Sequence, residues 1–179
     1  MNLFGIIGRS TINFLEVVGR ISIFTYKAVS SCALPPYYFK IFLKQIVEIG
    51  YYSLPVVGLT TLFSGMVLAL QSHTGFTRFS AEGAVATVVA LSLTRELGPV
   101  LAGLMVSGRI GASMAAEIST MRVTEQIDAL KTLATDPFKY LIAPRIVASI
   151  LCLPALVLVG DLIGIYGGYL VGVHKLGFN

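Results

Sequence analysis

Charged side chains are scarce in this chain of 179 residues, of which only 12% are Asp, Glu, Lys or Arg. The two cysteines, Cys32 and Cys152, fit no metal-binding or redox spacing. The sequence contains no phosphate-binding loop of the ATPase type, no H-E-x-x-H zinc motif and no G-x-S-x-G nucleophile motif. Its two histidines, His73 and His174, leave a hydrolase little material for a general base. We therefore predict a non-catalytic chain with no cofactor or metal of its own.

Apolar residues dominate instead, with a hydrophobic fraction of 55% and a mean hydropathy of +0.83. Residues 51–70 contain no charged side chain. As a helix they would extend about 30 Å, which is the thickness of the hydrocarbon core of a bilayer. The net charge of +4 comes from Lys and Arg dispersed along the chain, which argues against nucleic acid as a partner. The composition predicts an all-α integral membrane protein.

Three apolar segments are predicted to cross the membrane, over residues 51–71, 83–108 and 146–173. Five Lys or Arg residues precede the first segment, and five more lie in residues 109–145. The loop between the first two segments contains only Arg78, and the tail after the third contains only Lys175. Because basic residues concentrate on the cytoplasmic side, the N-terminus and residues 109–145 are predicted to be cytoplasmic.

Residues 1–34 are predicted to form an amphipathic helix that ends at Pro35-Pro36. Its polar side chains recur at intervals of three, four and seven along one stripe. The apolar remainder favours a helix lying along the membrane surface. A soluble helix packed on a partner is the alternative. The stripe consists of Arg9, Asn13, Glu16, Arg20 and Lys27.

Three residues that are charged at neutral pH fall inside the predicted spans, where each charge costs about 2.5–3.5 kcal/mol. Arg95 and Glu96 lie near the middle of the second span, and Asp161 lies at a similar depth in the third as a counter-ion for Arg95. They either line a substrate path or form a buried ion pair that fixes helix register, and these two interpretations are compatible. Gly98-Pro99 is expected to loosen the helix beside the pair.

The third span carries glycines at steps of four, which places them on one ridge of the helix. Ridges of this kind let a second helix backbone approach closely, so the pattern predicts a helix–helix interface, within the chain or between subunits. The ridge consists of Gly160, Gly164, Gly168 and Gly172.

Residues 115–134 are predicted to form one amphipathic cytoplasmic helix between the second and third spans, stopped by Asp136-Pro137. Such a helix would rest on lipid headgroups or serve as a handle by which a soluble partner moves the spans. The spacing of its residues leaves both possibilities open.

Several of these segments together resemble the MlaE/YrbE permease family. The resemblance rests on TRELGPVLAGLMVSGRIG at Thr94–Gly111, AAEISTMRVTEQIDAL at Ala115–Leu130, Asp136-Pro137 and Pro144-Arg145. Members of that family are membrane subunits of ABC transporters that move phospholipid across the envelope of bacteria with two membranes. The resemblance therefore implies a multi-pass protein of the bacterial inner membrane, with residues 1–179 forming a single permease domain.

The resemblance also implies partners and roles. A second permease copy, a separate ABC ATPase that binds ATP and Mg²⁺, and an MCE-type periplasmic lipid-binding protein are expected. Arg95 and Glu96 would line a cavity for phospholipid, to which we also assign Asp161 because of its depth in the third span. Residues 117–130 would be the coupling helix that docks on the ATPase. Because the family normally has five spans, the chain is expected to be C-terminally truncated. The expected ATPase contacts are Glu117, Met121, Arg122, Glu125, Gln126 and Asp128.

Two hypotheses compete with a lipid permease. In one, an ion- or proton-coupled carrier uses Arg95, Glu96 and Asp161 as a relay. In the other, a membrane-embedded enzyme acts on lipid, but the sequence offers no nucleophile–base set for it.

Overall fold

The structure is a computed structural model that describes residues 3–33, 38–79 and 83–177. Every regular element in these ranges is helical. Helix α1 is Leu3–Ala33. The predicted stop at Pro35-Pro36 lies outside the described residues.

Three continuous helical stretches are long and apolar enough to cross a membrane: Phe39–Phe76, Ala84–Val123 and Phe138–His174. The first consists of α2 (Phe39–Ile49), a 3₁₀ turn (Tyr51–Ser53) and α3 (Leu54–Phe76). The second consists of α4 (Ala84–Ser92), a π-helical turn (Leu93–Leu97) and α5 (Gly98–Val123). After a short helix α6 (Gln126–Thr132), the third consists of a π-helical turn (Phe138–Ile142) and α7 (Ala143–His174).

All three stretches are longer than the apolar segments predicted from the sequence. The largest extension of each lies at the same end of the bundle: before residue 51 in the first, after residue 108 in the second and before residue 146 in the third. The 38 residues of the first stretch extend about 57 Å at 1.5 Å per residue, well beyond a hydrocarbon core of about 30 Å. Helical hydrogen bonding does not stop where the apolar residues stop. The polar ends of the stretches therefore lie at the same end of the bundle as α6.

Helix α7 is the centre of the bundle and packs against α2, α3 and α5. The glycine ridge explains the closeness of its contact with α3. Gly164 lies against the backbone of Gly65, and a Cβ on Gly167 would come within 2.5 Å of the carbonyl oxygen of Leu62. Removing side chains from the contact allows backbones to approach and increases van der Waals packing, which drives helix association in lipid.

Two apolar clusters fill the space between the helices. One joins α2, α3, α5 and α7 through residues that include Ile49, Val57, Ala102 and Cys152. The other joins α3 and α4 to the first π turn through Ala69, Val85, Val89 and Leu93. Many large apolar side chains remain on the outside, which is expected where lipid is the solvent. They include Leu59, Phe63, Leu104, Leu158 and Leu162.

Helix α1 contacts the bundle near its C-terminal end. The Phe24 ring lies 5.4 Å from the ring of Phe138, and Ala28 is buried. Towards the N-terminus its apolar side chains, such as Ile12 and Phe14, are exposed. Arg20 and Glu16 on its polar stripe form an ion pair at 2.9 Å. Its placement at the membrane surface stays a prediction.

Candidate functional site

The first π turn presents the two charged residues of the second span. Pro99 has no backbone N–H and its ring crowds the carbonyl of Arg95, which weakens the regular helical hydrogen bonding at this position. The N–H of Gly98 instead donates to the carbonyl of Leu93, five residues earlier. Turns of this type occur mostly as single turns inside helices, and frequently at functional sites. The second π turn likewise stands directly before an Ala143-Pro144 pair.

This turn has a buried and an open side. Leu93 is fully buried and packs against Gly164 of α7. Arg95 and Glu96 point away from the other helices of the chain, with side chains 83% and 77% exposed. Arg95 Nε lies 4.0 Å from Glu96 Oε1. A guanidinium and a carboxylate are thus displayed together on the outer face of the bundle, near the middle of a membrane span.

The predicted ion pair between Arg95 and Asp161 is wrong. Asp161 lies inside the bundle against Gly98, where a Cβ would collide with its carboxylate. Residues three apart share one side of a regular helix, so Arg95 would follow Gly98 towards Asp161. The π turn places an extra residue in the turn and rotates Arg95 outwards. Within the described ranges, Asp161 Oδ1 is buried without a hydrogen-bond partner.

An open groove lies beside the π turn, between α3 and α5. It has a volume of about 360 Å³, and Phe63, Val67, Gln71, Leu97 and Leu101 are among the residues that line it. We call it the α3–α5 groove. Leu97 is the last residue of the π turn, so the groove reaches the turn that carries Arg95 and Glu96, although neither of these two side chains lines it. An apolar groove beside a guanidinium has the chemistry to hold an acyl chain and a phosphate.

The segment predicted as one helix over residues 115–134 is two helices. Helix α5 continues to Val123, and Glu125 then adopts a left-handed conformation with φ of 57° before α6 begins. A left-handed residue ends a helix because it turns the chain out of the helical path. We call residues 123–137 the elbow. All seven residues of α6 are partly or fully exposed.

The outer surface of the elbow combines apolar and charged side chains. Val123 and Leu133 are 84% and 74% exposed. Asp128 accepts a hydrogen bond from Lys131 at 2.8 Å, and this bond holds the pKa of the Asp128 carboxyl below its ordinary value. Among the predicted ATPase contacts, Arg122, Glu125 and Gln126 are exposed and Met121 is half-buried.

Glu117 differs from the other residues predicted to contact the ATPase. Its Oε2 accepts a hydrogen bond at 2.5 Å from Nη2 of Arg145, which is only 5% exposed. Two turns earlier on α5, Arg109 donates to Ser53 Oγ at 2.8 Å. Sequence reasoning missed the roles of Arg145, Arg109 and Ser53. A signal was present, since an arginine directly before a long apolar run enters a packed region and needs an acid.

The arrangement offers little support for a relay of ions or protons. Arg95 and Glu96 face outwards, whereas Asp161 is partly buried and its Oδ1 lies against Gly98. Within the described residues these three groups form no continuous chain of contacts. The same residues contain no group of three or more His, Cys, Asp or Glu side chains suited to a metal ion.

Comparison with known proteins gives consistent results. The family model described as Permease MlaE matches residues 42–179. The whole chain is 63% identical to a probable ABC transporter permease protein of Rickettsia felis and covers 69% of it. It is 39% identical to the intermembrane phospholipid transport system permease protein MlaE of Haemophilus influenzae, again over the whole chain and 69% of the relative. A probable ABC transporter permease protein of Synechocystis is 43% identical over 76% of the chain and 52% of the relative.

Proposed function

Because this chain belongs to the MlaE permease family, we propose that it moves phospholipid between the inner and outer membranes, powered by ATP hydrolysis on a separate subunit. As an ABC transporter permease it is itself a non-catalytic membrane subunit. ATP and Mg²⁺ belong to the partner ATPase in this proposal.

The outward display of Arg95 and Glu96 beside the α3–α5 groove is the observation that carries the choice of substrate. A phospholipid has an anionic phosphate and apolar chains, and the site offers a guanidinium next to an apolar groove. Glu96 keeps the guanidinium oriented until the phosphate arrives. Asp161 then supports the site from the inside of the bundle, through Gly98.

A second copy of the permease fits the same face. Two charged side chains on an outer surface are costly in hydrocarbon unless protein or a wet cavity covers them. A second permease copy facing Arg95 and Glu96 supplies that cover and encloses a shared lipid cavity. An MCE-type periplasmic protein would then exchange lipid with the cavity from the outer side.

The elbow is the surface proposed to contact the ATPase. It projects beyond the apolar part of the bundle, and its exposed Val123 and Leu133 flank the charged residues of α6. Interfaces of this kind combine apolar anchors with a polar rim. The proposal places the elbow and the N-terminus in the cytoplasm of a bacterium, with α1 lying on the inner membrane surface.

Lipid transfer tests the proposed substrate site. The permease and its ATPase are reconstituted in liposomes, and ATP-dependent movement of a fluorescent phospholipid is measured for a variant with both Arg95→Ala and Glu96→Ala. We expect transport to fall by about ten-fold or more, because a charge-assisted contact of about 1.5–3 kcal/mol is removed. The matched control is Arg20→Ala with Glu16→Ala, since this exposed ion pair lies on α1. Equal transport by both double variants would contradict the assignment.

Co-purification tests the elbow. Glu125→Lys reverses a charge at a position that already has a positive φ, and we expect it to reduce recovery of the ATPase with the tagged permease. Glu125→Gly keeps the left-handed conformation and removes the side chain together with its charge, without adding a positive one. It should have the smaller effect. Recovery that is the same for wild type and Glu125→Lys, and for a charge reversal at Asp128, would argue against docking through the elbow.

A further inference from the structure

Helix α5 is attached to the rest of the bundle in two different ways along its length. Its buried residues, Gly98, Ala102, Val106 and Ile110, recur at steps of four and end at Ile110. Beyond this point α5 continues for more than three turns as a mostly exposed helix. Packing is therefore concentrated in the half of α5 that lies next to the π turn, and beyond Ile110 it continues only as far as the partly buried Met114.

The ion pair between Glu117 and Arg145 joins the projecting half of α5 to α7. Glu117 lies about two turns beyond Ile110 and six residues before α5 ends at Val123. Its partner Arg145 lies at the start of α7, and the pair spans 28 residues of sequence. The elbow is the covalent connection between the same two helices, and it is largely exposed. The ion pair thus braces α5 and α7 just before the elbow.

Burial makes this brace persistent. Arg145 is 95% enclosed by the bundle, and a guanidinium removed from water depends on its acidic partner. Its Nη1 is buried without a hydrogen-bond partner in the described part of the chain, so separation from Glu117 would leave the whole charge unpaired. Glu117 has a 43% exposed side chain and can follow movements of α5 while it stays bound.

We propose that the Glu117–Arg145 pair transmits displacement of the elbow to α7, so that α5 and the glycine-packed α7 and α3 move together. This inference rests on the proposed function, in which an ATPase moves the elbow. Glu117 and Arg145 are positioning residues in this scheme, because they act on the lipid site through α5 and α7. Without the pair, the projecting half of α5 would move while α7 stayed in place.

The test measures lipid transferred per ATP hydrolysed, using the full permease with its ATPase in liposomes. The key variant combines Glu117→Gln with Arg145→Met, which removes the pair without leaving a buried charge. We expect this variant to fold. Because Glu117 is also among the predicted ATPase contacts, ATP hydrolysis is measured in the same liposomes, so that weaker docking would lower transfer and hydrolysis together. The variant's transfer per ATP should fall by about five-fold or more, the lower end of typical coupling between sites. The conservative Glu117→Asp variant should retain most of the transfer.

The possible results distinguish a failure of this inference from a failure of the proposed function. If the double variant transfers lipid at the wild-type ratio, the pair is only structural and the inference is wrong. If transfer and hydrolysis fall together in proportion, the pair serves ATPase docking or stability and the inference is again wrong. If the wild-type complex shows no ATP-dependent transfer, the proposed function itself fails and this inference fails with it. Glu16→Gln is the matched control, since it neutralises an acid paired with an arginine on the exposed side of α1.

Discussion

Helix α3 carries three glycines that differ in what an added methyl group would meet. At Gly75 a Cβ has no neighbour within 4 Å. At Gly58 it would lie 3.2 Å from Cδ1 of Ile163, the movable tip of a side chain. At Gly65 it would collide with the backbone of Gly164 and lie 3.2 Å from its Cα. One substitution, Gly→Ala, therefore probes three degrees of contact within a single helix.

The expected free energies follow from two opposing effects. Alanine stabilises a helix by about 0.5–1 kcal/mol relative to glycine, and this gain applies at all three positions. Overpacking costs about 1–3 kcal/mol where neighbours cannot move. Gly75→Ala should therefore stabilise the protein by about 0.5–1 kcal/mol. For Gly58→Ala the two effects should nearly cancel, and Gly65→Ala should destabilise by about 1–2 kcal/mol because it forces α3 and α7 apart.

The measurement is the free energy of unfolding in detergent micelles, followed by the loss of helical circular dichroism as denaturant is added. The order of stability should be Gly75→Ala, then Gly58→Ala, then Gly65→Ala. If Gly65→Ala were as stable as Gly75→Ala, the close approach of α3 and α7 would not exist and the reasoning about the glycine ridge would be refuted.

Two further predictions concern single contacts. Gly98→Ala should destabilise the protein by about 1–3 kcal/mol, because the new methyl group meets the carboxylate of Asp161. Adding Asp161→Ala to the same chain should recover part of this loss of stability. If the free-energy changes of the two substitutions simply add in the double-mutant cycle, the contact between Gly98 and Asp161 is contradicted. The pKa of Asp128 should lie below 3.8 in the folded protein because Lys131 donates to it. Its contribution to stability is then present above about pH 4 and lost as the pH falls through the lowered pKa. Lys131→Met should raise that pKa towards its ordinary value in a carbon-13 titration of the carboxyl group, and an unchanged pKa would exclude the hydrogen bond.

Residues 115–134 show where pattern analysis works and where it fails. Apolar and polar spacing over residues 115–134 correctly indicates helical structure, because helical periodicity is local in sequence. It does not reveal the break at Glu125, since glutamate has no special preference for a positive φ. The break determines the shape of the surface. One long helix would lie flat, whereas two helices form a projecting elbow.

The two π turns share a local cause that the sequence displays. Each stands directly before a residue followed by proline, Gly98-Pro99 in one case and Ala143-Pro144 in the other. The missing N–H makes a perturbed helix predictable at these positions. Whether the helix breaks, kinks or widens depends on the helices packed around it. In the first π turn, Leu93 is buried against α7. The helix therefore stays continuous there, and its turn becomes wider than a regular α-helical turn.

The sequence by itself determined that the protein lies in a membrane, that it has three apolar segments and that the third segment has a face of small residues. These properties depend on composition and on spacing along one helix, and both are local. Only the tertiary structure decided that Arg95 turns outwards while Asp161 lies against Gly98, and that Glu117 of α5 binds Arg145 of α7. Directions and partners of this kind depend on one extra residue in a turn and on how distant helices meet. Neither produces a periodic pattern in the sequence.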